Sequence, residues 1–217
     1  SRLGSFDMTE LAADPSIIQG GMGAAVSSWR LANAVARAGQ LGVVSVTGID
    51  TVFVRRLQDG DKGGHLRRSM EHFPIPAAVE AALHRYYRSG GKAAGEPYKL
   101  LPLFRQAIGP ARQQLTMLAM YVEVFLAKEG HDAPIGINLL TKIQMPTLPT
   151  LYGAMMAGVG YVLMGAGIPR EIPGALDLLA QGARAHALAG AVHRRAIDHR
   201  TRGASAHRTP LLHEPHR

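Results

Sequence analysis

The stretch that most limits what this chain can fold into runs from Ile17 to Gly48, IIQGGMGAAVSSWRLANAVARAGQLGVVSVTG. Ile17 and Ile18 follow Pro15-Ser16 and begin a short strand. Gly20, Gly21 and Gly23 then allow backbone angles and close approaches that a Cβ would block. Ser27 and Ser28 are helix N-caps before an apolar pattern of Leu31, Ala32, Val35 and Ala36. Ala38-Gly39 ends that helix with a C-terminal glycine. Val43, Val44 and Val46 make a buried strand that closes on Thr47-Gly48. Strand, helix and strand in this order form a βαβ unit, and such units build parallel sheets.

A glycine turn between strand and helix brings backbone N–H groups to a helix N-terminus, which suits a phosphate or an anionic ring edge. The spacing is not that of a dinucleotide fingerprint. In Gly21-x-Gly23-x-x-Val26 a bulky residue stands where close helix packing needs a small one, and the nearest acidic ribose partner, Asp50, lies past the second strand. Spacing alone leaves a structural turn and a ligand loop both open.

Further along, Ile75 to Arg88 reads as an amphipathic helix with Ile75, Val79, Ala82, Leu83 and Tyr86 on one face. Pro110 opens a stronger helix through about Glu129. Leu115, Leu118, Ala119, Val122, Phe125 and Leu126 form its stripe, and Met117, Met120 and Val124 extend it almost all round. That pattern predicts burial on more than one side, with the methionines as core filler. This insertion over 53–133 has two possible places, over the mouth of a sheet or barrel or in a subunit contact. Asp50 is read as the cap of a short helix through Arg56, and QDGDKGGH as a loop that leaves His65 in solvent. The third strand is Pro134 to Leu140. Its Asn138 is a polar side chain in an apolar strand, near the end that faces the site in a parallel α/β fold, and a buried amide must be satisfied. Thr150 to Ala157 reads as a helix, Tyr161 to Met164 as the fourth strand, Gly165 to Pro169 as a loop, and Glu171 to Leu179 as a fourth helix.

The blocks PSIIQGGMG, ANAVARAGQLGVVSVTG and IGINLLTKIQMPTLPTLYGAMMAGVGYVLMGAGIPREIP together resemble the nitronate monooxygenases, once called 2-nitropropane dioxygenases, from about Ser16 to about Leu179. The resemblance implies an FMN-dependent TIM barrel of which four βα units are present, with an enlarged helical segment between strands two and three. It implies a flavin beside Gly21, Met22 and Gly23, beside Ser45, Thr47 and Gly48 at the end of strand two, beside Asn138, and beside Met164, Gly165, Ala166 and Gly167 after strand four. Ile137 stands where the family's Gly-Val-Asn motif has Val. The family's catalytic histidine belongs to a glycine-rich motif after the later strands, so the role is not carried onto His65 and the catalytic residue is unknown. The implied reaction takes a nitronate and O2 to a carbonyl and nitrite, with the flavin carrying the redox chemistry. Two alternatives accompany it: a flavin-dependent enoyl reductase of fatty-acid or polyketide synthesis, related to this family, and a non-catalytic remnant.

Charge separates the tail from the rest. Residues 182–217 hold seven Arg, no Lys and two acids, a net +5, against 17 basic and 14 acidic side chains, a net +3, in the preceding 181. The basicity is a tail property, which argues against a nucleic-acid binder. The tail's six irregularly spaced His have no Cys or acidic cluster to join them, so no metal site is expected, and the composition predicts a disordered tail. The tail does not resemble the family, and its Arg/His/Ala-rich, Lys-free composition implies a reading frame broken near residue 182. The absence of Cys fits a reducing compartment, and the polar lead-in over 1–15 shows no signal peptide, which points to the cytoplasm. No residue between Lys142 and Arg170 is charged, but Pro146, Pro149, Pro169 and five Gly within 152–169 interrupt the run, so a buried helix and a buried strand are expected in place of a membrane span. A half-barrel also leaves open sheet edges, and self-association through them is expected.

Overall fold

The computed structural model describes residues 15–104, 109–143 and 145–180. The expectations for the lead-in and for the 182–217 tail fall outside these residues. The chain divides into two compact units, Ser1–Pro169 and Arg170–Arg217, and each is described by itself. The first carries three parallel strands, β1 (Gly42–Ser45), β2 (Ile135–Leu140) and β3 (Tyr161–Gly165), in one open sheet of that order. Ser45 lies opposite Asn138, and Asn138 opposite Leu163. The fold is mixed α/β.

The strand expected at Ile17 is reduced to one parallel bridge, Ile18 to Leu41. The Leu41 N–H donates to the Ile17 carbonyl and the Gln19 N–H to the Leu41 carbonyl, after which Gly20 leaves the ladder. The next β1 donors find substitutes. Val43 N–H donates to Oε1 of Gln19 at 2.9 Å, and Ser45 N–H to the Ser27 carbonyl at 2.9 Å. A side-chain amide completes what a longer strand would have supplied, so no buried β1 donor is orphaned there.

Six helices follow in this unit: α1 (Trp29–Arg37), α2 (Ile49–Gln58), α3 (His65–Met70), α4 (Pro76–Tyr86), α5 (Pro110–Lys128) and α6 (Thr147–Met156). The helix α7 (Ile172–Ala180) belongs to the second unit. The helix α5 is not a peripheral cover. It is the crossover between β1 and β2, packed on both strands and flanked by α1 and α6. Leu118, Ala119, Met120, Val124, Leu126 and Ala127 are fully buried on it, as the near-continuous apolar pattern predicts. Two glycines permit the tight layer. A Cβ on Gly42 would strike the Ala32 carbonyl of α1, and one on Gly153 of α6 would strike the Met117 carbonyl of α5.

The helices α1 and α5 cap each other. Ser28 stands at the N-cap of α1 with extended backbone, yet its side chain makes no capping bond. The Trp29 N–H donates to Oε1 of Glu123 on α5 at 2.8 Å. In return, Asn33 of α1 donates to the carbonyls of Ala127 and Glu129 at 3.0 and 2.8 Å, and Arg37 donates to that of Glu129. Each helix meets the other's unsatisfied end groups.

Several expectations are corrected. Leu31, placed in the α1 stripe, is 41% exposed, because the buried face centres on Ala32 and Ala36. Asp50 is not the cap of α2. Gly48 holds that position with φ +61°, and Asp50 sits buried in the first turn, its carboxylate accepting from Arg112 of α5. The helix α2 also runs on to Gln58. His65 is not a loop residue in solvent: it opens α3, half-buried, with its ring centroid 5.3 Å from that of Trp29. The helix starts there because both Asp61 oxygens accept backbone N–H groups, from Leu66 and Arg67, at 3.0 Å. In the uncharged run, α6 is buried as expected, but β3 is half-buried along its whole length, while Ile143, Met145 and Ile168 are exposed. No helix among the described residues is long and apolar enough to cross a membrane.

Candidate functional site

The C-terminal ends of β1 and β2 gather most of the residues that the sequence singles out. Gly21 lies buried over the sheet, and a Cβ there would stand 2.5 Å from Cβ of Asn138 and 2.9 Å from Cγ1 of Val43. Its carbonyl accepts from Nδ2 of Asn138 at 2.5 Å, across 117 residues of sequence. Gly21 is therefore required for close approach, with no need for unusual backbone angles. Gly23 does need them, with φ +62°. Beside it Met22 is 68% exposed and Val26 67%.

Ser27 holds this turn in shape. Its buried Oγ donates to the Gly20 carbonyl and accepts from the Met22 N–H and from Nε2 of Gln19, each at 2.9 Å. Ser27 reads from sequence only as a helix cap, and Gln19 carries no role there. The signal that identifies them is a glutamine and a serine flanking three glycines, where a backbone that leaves its ladder needs side chains to satisfy it.

Ser45 is buried at the end of β1, and its Oγ accepts from the Thr47 N–H at 3.4 Å. Thr47 and Gly48 point elsewhere. With Val46, Leu140, Ile143 and Thr147 they line an open cleft of about 350 Å³, mouth included, between the strand ends and the start of α6. In its wall the Thr150 hydroxyl is buried without a hydrogen-bond partner. After β3, Thr141 ties the next loop down: its N–H and its Oγ1 both donate to the Gly165 carbonyl, at 2.9 and 3.0 Å. Met164 and Gly165 are half-buried, while Ala166, at φ +59°, and Gly167 are exposed. The predicted residues thus fall into three neighbouring groups: Gly21 to Gly23 with Asn138 and Ser45; Thr47 and Gly48 in the cleft; and the Met164 to Gly167 loop on Thr141.

The electrostatics differ from the sequence expectation at one point. The α1 N-terminus, offered there to a ligand anion, already receives the Glu123 carboxylate, which also pairs with Arg56 at 2.6 Å. Asn138 and Val43 fill the space against Gly21, and the Asn138 amide is engaged by the Gly21 carbonyl, so what the turn leaves exposed is the stretch around Met22. No group of three His, Asp or Glu side chains among the described residues is placed to hold a metal ion. No protein-family model, curated protein or solved structure matches the chain.

Proposed function

We propose that the first unit is part of an FMN-dependent oxidoreductase of TIM-barrel type, resembling the nitronate monooxygenases. One observation supports this above the rest: the glycine turn and Asn138, far apart in sequence, are joined by a hydrogen bond at the carboxyl ends of parallel strands. That is where α/β barrels carry their sites. The stretch around Met22 would lie along the flavin ring edge, with the Gly21–Asn138 bond and Ser27 fixing the turn and Thr141 fixing the loop after β3. Bound FMN would supply the redox chemistry, taking electrons from a nitronate and delivering them to O2. The chain's own residues orient the ring. No general base stands among Gly21, Ser27, Asn138 and Thr141, and a nitronate arrives with its carbon acid already deprotonated.

An FMN titration of the full chain, followed by flavin fluorescence, tests the reading. Saturable binding, weakened about tenfold in Asn138→Ala, is expected for the loss of one well-placed hydrogen bond and of the turn it holds. Folded protein with no saturable binding overturns it. Nitronate-dependent O2 uptake, set against NADH oxidation, then separates the monooxygenase from the enoyl reductase.

A further inference from the structure

The two edges of the sheet, among the described residues, are not alike. At one, a single bridge joins Ile18 to Leu41, and the Gln19 side chain then takes the next β1 donor, Val43 N–H, at 2.9 Å. Too little extended backbone is left there to receive another strand. At the other, β3 runs extended from Tyr161 to Gly165 with β2 on one side only.

In a parallel ladder, alternate residues of an edge strand bond to the neighbour, and those between turn their N–H and C=O outward. The Gly165 carbonyl accepts the Thr141 N–H at 2.9 Å, and Gly165 lies opposite Leu140, so Tyr161, Leu163 and Gly165 bond toward β2. Val162 and Met164 therefore turn two N–H and two C=O groups to the open side, where none has a partner among the described residues. Edge strands are commonly guarded by a charge or a proline. The sequence YVLMG has neither, and no residue between Lys142 and Arg170 is charged. Every residue of β3 is half-buried, so both faces of the strand keep surface to cover.

We propose that this edge pairs with the β3 edge of a second copy of the chain, antiparallel about a two-fold axis at Leu163. That register sets Val162 opposite Met164 of the partner subunit, twice over, and each such pair exchanges two N–H···O bonds. All four outward groups of each strand are then met. Leu163 faces its own counterpart, and Tyr161 faces Gly165 of the partner subunit, an aromatic ring beside a glycine that has no side chain to pack. The absence of charge selects this occupant. A second β3 brings no charge to the junction, whereas a strand carrying Lys or Glu would desolvate it with no counter-charge to meet it. The pair closes on itself, and the short Ile18 edge adds no further strand, so association stops at the dimer. The pairing needs no flavin.

The chain has no Cys, so single cysteines placed in the full chain report the register. Residues facing each other across a non-hydrogen-bonded antiparallel position have Cα atoms about 4.5 Å apart, within disulfide reach. Leu163→Cys should therefore give a disulfide-linked dimer on air oxidation. Tyr161→Cys, two residues off the axis, lies about 13 Å from its counterpart and should stay unlinked. Light scattering of the unmodified chain should find a dimer that dilutes to monomer. Val162→Lys should raise its dissociation constant about tenfold or more, because it guards the edge with a charge. Circular dichroism checks that each variant folds, and where Val162→Lys does not, the two cysteine variants decide. A monomer at every concentration, growth beyond the dimer, equal linking of Tyr161→Cys, or a dimer indifferent to a folded Val162→Lys would each overturn the proposal.

Discussion

The glycine turn over 20–27 and the helix α5 are held by opposite means. The turn has Met22 and Val26 exposed, and its shape comes from four polar groups: the Gln19 amide, the Ser27 hydroxyl, the Asn138 amide and the Ser27 carbonyl. The helix is buried nearly all round by apolar side chains, and its main polar side-chain ties, Glu123 and Arg112, serve other elements. A turn held by hydrogen bonds keeps its backbone near the surface and open to a ligand. A helix held by burial gives a rigid floor beneath it. The two regions divide the work of exposing a site and supporting it.

That contrast gives predictions, each read by urea unfolding, that set large effects against small ones in the same region. Glu123→Ala should cost about 3–5 kcal/mol, since it strips the α1 cap and leaves Arg56 without its buried partner. Ser28→Ala, at the nominal cap of the same helix, should cost less than about 0.5 kcal/mol because its side chain makes no capping bond. A large Ser28 effect would break the account of α1. Leu118→Ala, fully buried on α5, should cost about 2–5 kcal/mol, and Met22→Ala on the turn close to nothing. Ser27→Ala should cost about 1–3 kcal/mol, because it leaves the Met22 N–H without its acceptor, while the Gly20 carbonyl keeps the Gln19 amide. Arg68→Ala should cost under about 1 kcal/mol although its bond to Glu129 is bidentate, because that pair is on the surface, with Arg68 47% exposed.

What was legible in the sequence followed from local rules. The glycines near Ile18 and the lone polar Asn138 in an apolar strand mark two sides of one contact, and the almost uninterrupted apolar face of α5 announces burial. The parallel sheet follows from the βαβ pattern. What was not legible depends on partners far away. Glu123 reads as a gap in a stripe, and nothing near it in sequence reveals that it caps a helix that begins at Trp29. His65 reads as loop because Gly63-Gly64 precede it, but Asp61 reaches past the glycines and starts a helix there. Ile17 and Ile18 read as a short strand because no local signal says that the Gln19 side chain takes over the ladder.

The mutual capping of α1 and α5 has a kinetic side. The bonds that finish α1 at its start and α5 at its end each span 94 residues. A helix of nine residues is marginal alone, and this one lacks its own side-chain cap, so it gains a stable first turn only after a long loop has closed. The helix α5, longer and more apolar, is the element able to persist first. The chain should therefore acquire α1 late, by docking it onto a preformed α5, and Asn33→Ala, which removes the side-chain half of the capping, should speed unfolding far more than it slows folding.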